Sequence, residues 1–439
     1  MAAPEAASNS VRSGNIQAAA APMHQGRSLA IVTSLFFLWG FITSLNDILV
    51  PHLKSIFELN YTQVMLVQFA FFSAYFLFSL PWARVIDKIG YQQTMVAGLL
   101  TMGFGAFLFI PAASVPSFPM FLVALLILAA GITGLQVAAN PYVIALGKPE
   151  TGSSRLTLTQ AFNSLGTTLA PKIGGLLILG TAVPLALEKL RALTPAALHA
   201  YRLQEAATIK MPYISIGIVL VLLGLTISRL NLPKIPHAHR PAGEKVPDSL
   251  WKHPNLIFGT IGIFTYVGAE VSIGSFLVSY LGQPNIAGFS PPVAAGYVSF
   301  YWGGAMVGRF IGAGLLQRVK TRYLLATCTV CTTVLVVTSM LSSGHLAMWT
   351  LLAVGLFNSI MFPSIFTLGV AELGPLTGAG SGVMNMAIVG GAIVPVIQGA
   401  IADRIGIHHA FFVALLCYLY IFFYATRESK PNSERHAKA

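Results

Sequence analysis

The sequence predicts an all-α membrane protein whose twelve transmembrane helices form two six-helix halves. Three observations predict it. The 439 residues are 55% hydrophobic and only 9% charged, with a mean hydropathy of +0.74, whereas a soluble chain carries about 25% charged residues. Twelve apolar runs of roughly 20 residues follow one another, and each can cross a bilayer core at ~1.5 Å per residue. The first six runs also echo the last six.

In order, the spans are predicted at 28–51, 64–83, 94–112, 118–147, 157–180 and 212–231, then at 255–281, 293–316, 322–341, 345–369, 380–402 and 408–426. Residues 1–27 are rich in Ala, Ser and Asn without an apolar core, which predicts a disordered cytoplasmic tail rather than a cleaved signal. Between spans 6 and 7 the stretch NLPKIPHAHRPAGEKVPDSLWKH, residues 232–254, is Pro-rich and charged. It reads as a cytoplasmic linker between an N-terminal half, 28–231, and a C-terminal half, 255–426, with a second cytoplasmic tail at 427–439.

The net charge of +12 does not form the basic stripe of a nucleic-acid binder; the basic residues sit in short loops between apolar runs. Cytoplasmic loops retain Lys and Arg. With both termini inside, eighteen of the 26 basic residues fall on the inside and six outside, while Lys172 and Arg309 lie within spans. Both termini are therefore predicted to be cytoplasmic.

Two echoes support the repeat. NPYVIALG in span 4 resembles FPSIFTLG in span 10, each with a proline six residues before a glycine. GTTLAPKIGG in span 5 pairs with GAIVPVIQG in span 11, where Gly166 precedes Pro171 as Gly390 precedes Pro395. A parallel six-plus-six repeat holds its cargo near mid-membrane between the halves.

Acids single out the chemistry. Of fourteen acidic residues, twelve fall in tails or predicted loops, and Asp47 and Glu270 alone stand inside apolar spans. Such a side chain costs ~2.5–3.5 kcal/mol even on lenient insertion scales, so it faces protein or water and marks a pathway. Burial disfavours the charged form of a carboxyl, which makes Glu270 in span 7 a candidate proton carrier and Asp47 in span 1 its partner. A salt bridge from Glu270 to Arg309 or Lys172 is the structural alternative, and a solvated place near the span end is that of Asp47.

A hydroxyl-covered neutral cargo requires amides, which both donate and accept, and an aromatic face. Gln136 and Asn140 stand at i, i+4 in span 4, and Gln160 and Asn163 at i, i+3 in span 5, so each pair shares a helical face. Asn46, Asn358 and Asn385 add amides; Trp39, Tyr266 and Trp302 are candidate stacking rings. For any one of them, an interhelical hydrogen bond is the structural alternative.

Other chemistry is missing. Cys328, Cys331 and Cys417 lie in apolar spans and read as packing residues, so no metal is expected. There is no Gly-rich phosphate loop, hence no internal ATP motor, and no nucleophile–base–orienter set. Neither a cofactor nor an enzymatic activity is expected.

Taken together, FFLWGFITSLNDILVPHL, GLQVAANPYVIALG, SSRLTLTQAFNSLGTTLAPKIGG and YVGAEVSIGSFLVSYL resemble the fucose, glucose and galactose symporters of the major facilitator superfamily, over nearly the whole chain beyond residue 27. The resemblance implies a proton-linked monosaccharide carrier of the bacterial inner membrane, although some animal relatives use sodium. In the fucose branch the functional acids are a span-1 aspartate and a span-4 glutamate, with span-5 amides at the sugar. These map onto Asp47, Gln160 and Asn163, but the glutamate position is Gln136. That departure favours the glucose/galactose branch, with Glu270 taking over part of the missing acid's role. RVIDKIG after span 2 is a degenerate relative of the charged loop of facilitators, and Arg84, Asp87 and Lys88 are the expected latch.

The expected function is import of a neutral hexose with a proton by alternating access, with the chain acting as a monomer in a lipid bilayer. Sodium coupling, uncoupled diffusion, fucose or N-acetylglucosamine as cargo, and a receptor that binds without turnover are the alternatives.

Overall fold

A computed structural model describes residues 22–57, 61–115, 117–174, 193–235 and 249–429, of which the side chains of 45–56, among others, lie outside the description. Asn46 and Asp47 therefore belong to helix Pro22–Phe57, but their side chains are not among those described. Nine stretches of the described residues are long and apolar enough to cross a membrane. The second of these contains two spans, because helix Tyr61–Ser114 folds at Gly90 (φ 77°), a left-handed conformation that glycine adopts without steric cost. Helices Gly152–Gly174 and Pro291–Leu315 bring the described spans to twelve.

Three predicted boundaries move. Helix begins at Pro22, so the last residues of the predicted tail belong to span 1, while 1–21 lie outside the described residues. Span 6 begins at Pro195, where Thr194 caps the helix through its side chain, rather than at 212. Its 35 residues reach about 52 Å, beyond any bilayer core, so Arg202, Glu205 and Lys210 lie on helix instead of loop. Of the linker, 236–248 lie outside the described residues, and Leu250–Lys252 form a single 3₁₀ turn before span 7 at Pro254–Leu281.

Two spans are broken near the middle. Span 10 consists of Gly344–Asn358 and Met361–Val370. Span 11 runs Thr377–Met386, a 3₁₀ turn Ala387–Val389 and Gly390–Ile405. Pro363 explains the first break: proline has no N–H for the carbonyl four residues earlier and clashes with it. The orphaned carbonyl is that of Ser359, and Arg309 Nε donates to it at 3.2 Å. In span 4, Pro141 frees the carbonyl of Val137, which accepts from Ser381 Oγ at 2.8 Å.

The echo between spans 5 and 11 corresponds to matching packing. A Cβ on Gly166 would collide with the carbonyl oxygen of Phe37 in span 1, and one on Gly390 with that of Phe264 in span 7. Spans 5 and 11 thus use a glycine to lie directly on spans 1 and 7.

Between the halves, hydrogen bonds gather at the end that carries the loops after spans 2, 4, 8 and 10. Thr321 Oγ1 donates to Ser153 Oγ at 2.9 Å, Ser154 Oγ to the carbonyl of Ala313 at 2.6 Å, and Ser381 reaches Val137 as above. Arg84 and Lys88 are exposed and Asp87 half-buried there. A Cβ on Gly378 would meet Asp87 Oδ1 at 3.5 Å, so that carboxylate lies beside the amino end of helix Thr377–Met386, where a negative charge is favoured.

Candidate functional site

Above this closed end lies a cavity of about 170 Å³, smaller than the ~300–1,000 Å³ typical of small-molecule pockets. Spans 1, 2, 4 and 5 line it with Trp39, Gly40, Thr43, Tyr75, Gln136, Gln160, Asn163 and Thr167. Spans 7, 8, 10 and 11 contribute Tyr266, Val267, Glu270, Arg309, Phe362 and Ile388.

The N-terminal wall is built of neutral polar groups on an aromatic floor. Gln136 donates from Nε2 to Tyr75 Oη at 2.8 Å, which orients its amide and leaves the carbonyl end available. Asn163 donates from Nδ2 to the carbonyl of Phe36 at 2.9 Å, fixing span 5 to span 1 next to Trp39. Gln160, one turn away on the same face, also reaches the cavity. Trp39 is only 3% exposed and packs on Phe36 with ring centroids 4.0 Å apart, so its ring is held rigidly.

The C-terminal wall holds charge. Tyr266 Oη donates to Glu270 Oε1 at 2.7 Å along one turn of span 7. Arg309 Nη2 stands 3.8 Å from the same oxygen, and the two side chains are 12% and 13% exposed. This is an ion pair without a hydrogen bond, since closed guanidinium–carboxylate contacts measure ~2.7–2.9 Å. Arg309 also donates from Nη1 to Ser164 Oγ in the other half. Behind them Tyr301 Oη donates to the backbone carbonyl of Glu270 at 3.2 Å and receives Asn358 Nδ2 at 2.9 Å.

Of the residues expected from sequence, Trp39, Gln136, Gln160, Asn163, Tyr266 and Glu270 meet at this one cavity. Three do not. Asn140 is fully buried one turn beyond Gln136 toward the closed end, and neither polar atom of its amide has a hydrogen-bond partner. Asn358 supports Tyr301 from behind the wall. Trp302 is 42% exposed and packs on Tyr301, turned away from the cavity. Sequence reasoning missed Tyr75, whose signal was a phenolic hydroxyl within FFSAYFLF, a group that needs a partner once buried. Thr43, Thr167, Phe362 and Ile388 carried no signal. Among the described residues no cluster of His, Cys, Asp and Glu could hold a metal ion.

A twelve-span bundle that encloses a polar cavity at mid-depth, closed at one end, defines a multi-pass membrane carrier rather than an enzyme. The family model described as Major Facilitator Superfamily matches residues 29–394, and the chain belongs to that superfamily. It is 50% identical to the glucose/galactose transporter of Brucella abortus over 405 residues, 92% of this chain and 95% of the relative. It is 33% identical to the L-fucose-proton symporter of Escherichia coli over 411 residues, 91% and 93% of the two chains. Among solved structures, the transporter FucP in the outward conformation superposes with a TM-score of 0.85 at 32% identity, covering 92% of this chain and 99% of that one.

Proposed function

We propose that the protein imports a neutral monosaccharide of the glucose/galactose type together with a proton, its two halves rocking around the central cavity. The observation that carries this reading is the division of that cavity: uncharged amides and a tryptophan on one wall, a carboxylate with a guanidinium on the other. The first wall matches sugar hydroxyls and the C–H face of a pyranose. On the second wall, a proton on Glu270 neutralises a carboxylate before the site passes through its occluded state, and Asp47 is the second acid of the pathway. Similarity to a glucose/galactose transporter and to an L-fucose-proton symporter supports both the cargo class and the ion.

One proton suffices energetically. Falling through 100 mV it contributes about 2.3 kcal/mol, and one pH unit adds about 1.4, enough for a sugar gradient of several hundredfold. The reading extends to a monomer in the bacterial inner membrane with both termini cytoplasmic, halves at 28–231 and 255–426 joined by the linker 232–254, and Arg84, Asp87 and Lys88 latching the cytoplasmic end. Sodium coupling or uncoupled diffusion is the second reading, favoured by Gln136 at a position where the fucose branch has an acid.

The test is uptake of labelled sugar by proteoliposomes under an imposed pH gradient. Glucose or galactose accumulates, an uncoupler abolishes the accumulation, and fucose or N-acetylglucosamine competes weakly. Accumulation that survives the uncoupler and requires sodium overturns the ion; strong competition by fucose alone overturns the cargo. Absence of counterflow reduces the protein to a receptor.

A further inference from the structure

Arg309 is the one described side chain that bonds to both halves while facing the cavity. It reaches Ser164 in span 5, the freed carbonyl of Ser359 in its own half and, more loosely, Glu270. The proline break in span 10 fixes the base of the side chain, because Ser359 supplies an acceptor that an unbroken helix would withhold. The far end of the guanidinium is then left with two competitors on opposite sides of the interface between the halves.

Around Glu270 the titratable and charged groups among the described residues are Tyr266 on its own helix, Arg309 and Tyr301 from span 8 and Tyr418 from span 12. Arg309 alone among them is charged at neutral pH, and a guanidinium does not give up its proton. Neutralising Glu270 therefore leaves a positive charge whose remaining acceptors are Ser359 and, across the interface, Ser164. In this structure, closed at one end, Arg309 already sits on Ser164 and stands beyond hydrogen-bonding distance of Glu270.

We propose that Arg309 is the positioning residue that links the charge of Glu270 to closure of the halves. An ionised Glu270 draws the guanidinium back into the C-terminal half; a protonated Glu270 releases it to Ser164 and locks the closed end. The proton taken up by the carboxylate is the only species transferred, and the guanidinium keeps its charge throughout. The proposal rests on Glu270 being the coupling acid, and it adds a physical reason why protonation favours one conformation.

Closure can be read without transport. Ala313, buried between spans 5 and 8 at the closed end, is replaced by cysteine, and labelling of full-length protein in detergent by a maleimide reports opening. Glu270→Gln, which mimics the protonated acid, is expected to slow labelling about fivefold, within what one hydrogen bond contributes. In Ser164→Ala and Arg309→Gln backgrounds the same change is expected to leave labelling unaltered, whereas Arg309→Lys retains part of the effect. Equal slowing in the Ser164→Ala background, or no slowing in the wild-type background, overturns the link. Ser164→Ala removes a single hydroxyl and keeps the test decisive if Arg309→Gln fails to fold. Sugar accumulation by the wild type, measured in parallel, reports on the transport reading separately.

Discussion

The two halves share a scaffold and differ in chemistry. Gly166 crosses span 1 at Phe37 as Gly390 crosses span 7 at Phe264. Gln136 four residues before Asn140-Pro141 bonds Tyr75, and Asn358 four residues before Phe362-Pro363 bonds Tyr301. Yet the first pair faces the cavity, while the second is buried behind Glu270 and supports its backbone. The same amide–tyrosine device thus lines the cavity in one half and supports the backbone of an acid in the other. A repeat can preserve backbone crossings, which tolerate no side chain, while the residues that fill the space between halves diverge.

Breaking the C-terminal wall is expected to have the largest effect. Glu270→Gln should abolish proton-driven accumulation while leaving counterflow measurable, since exchange requires no change of charge; retained accumulation would move coupling to the other half. Next come the N-terminal amides. Gln160→Ala or Asn163→Ala should raise the KM for sugar about 10- to 100-fold in counterflow, the cost of one or two unmade hydrogen bonds in a closed site, without shifting the gradient that can be sustained.

The matched tyrosines sharpen the contrast. Tyr75→Phe should raise KM about three- to tenfold by freeing Gln136, whereas Tyr301→Phe should lower the ratio of accumulation to counterflow by a similar factor with KM unchanged. If both variants behave alike, the division between the walls fails. The smallest effect belongs to Trp302→Ala: turned out of the cavity, it should change KM by less than about twofold.

Legibility in the sequence followed how local each cause was. The lone carboxyl at 270 could be read because lipid penalises charge wherever it occurs along a span, and Gln160 and Asn163 because i, i+3 spacing puts two amides on one face of any helix. The same argument failed at Asn140: it shares a helical face with Gln136, but the cavity ends between them, where span 11 packs across span 4 through Ser381 and Val137. Trp302 failed for a related reason, since an aromatic ring in an apolar span faces lipid as readily as a cavity.

From residue order alone came the twelve spans, the repeat, the two acids and the family resemblance. Each depends on hydrocarbon thickness, helical period or the intolerance of lipid for charge, and these act on a segment irrespective of its neighbours. Only the tertiary structure decided that Tyr75 meets Gln136, that Pro363 leaves Ser359 for Arg309, and that this guanidinium stands between Glu270 and Ser164. Those are contacts between spans far apart in sequence, set by how helices cross, and no local pattern encodes a crossing.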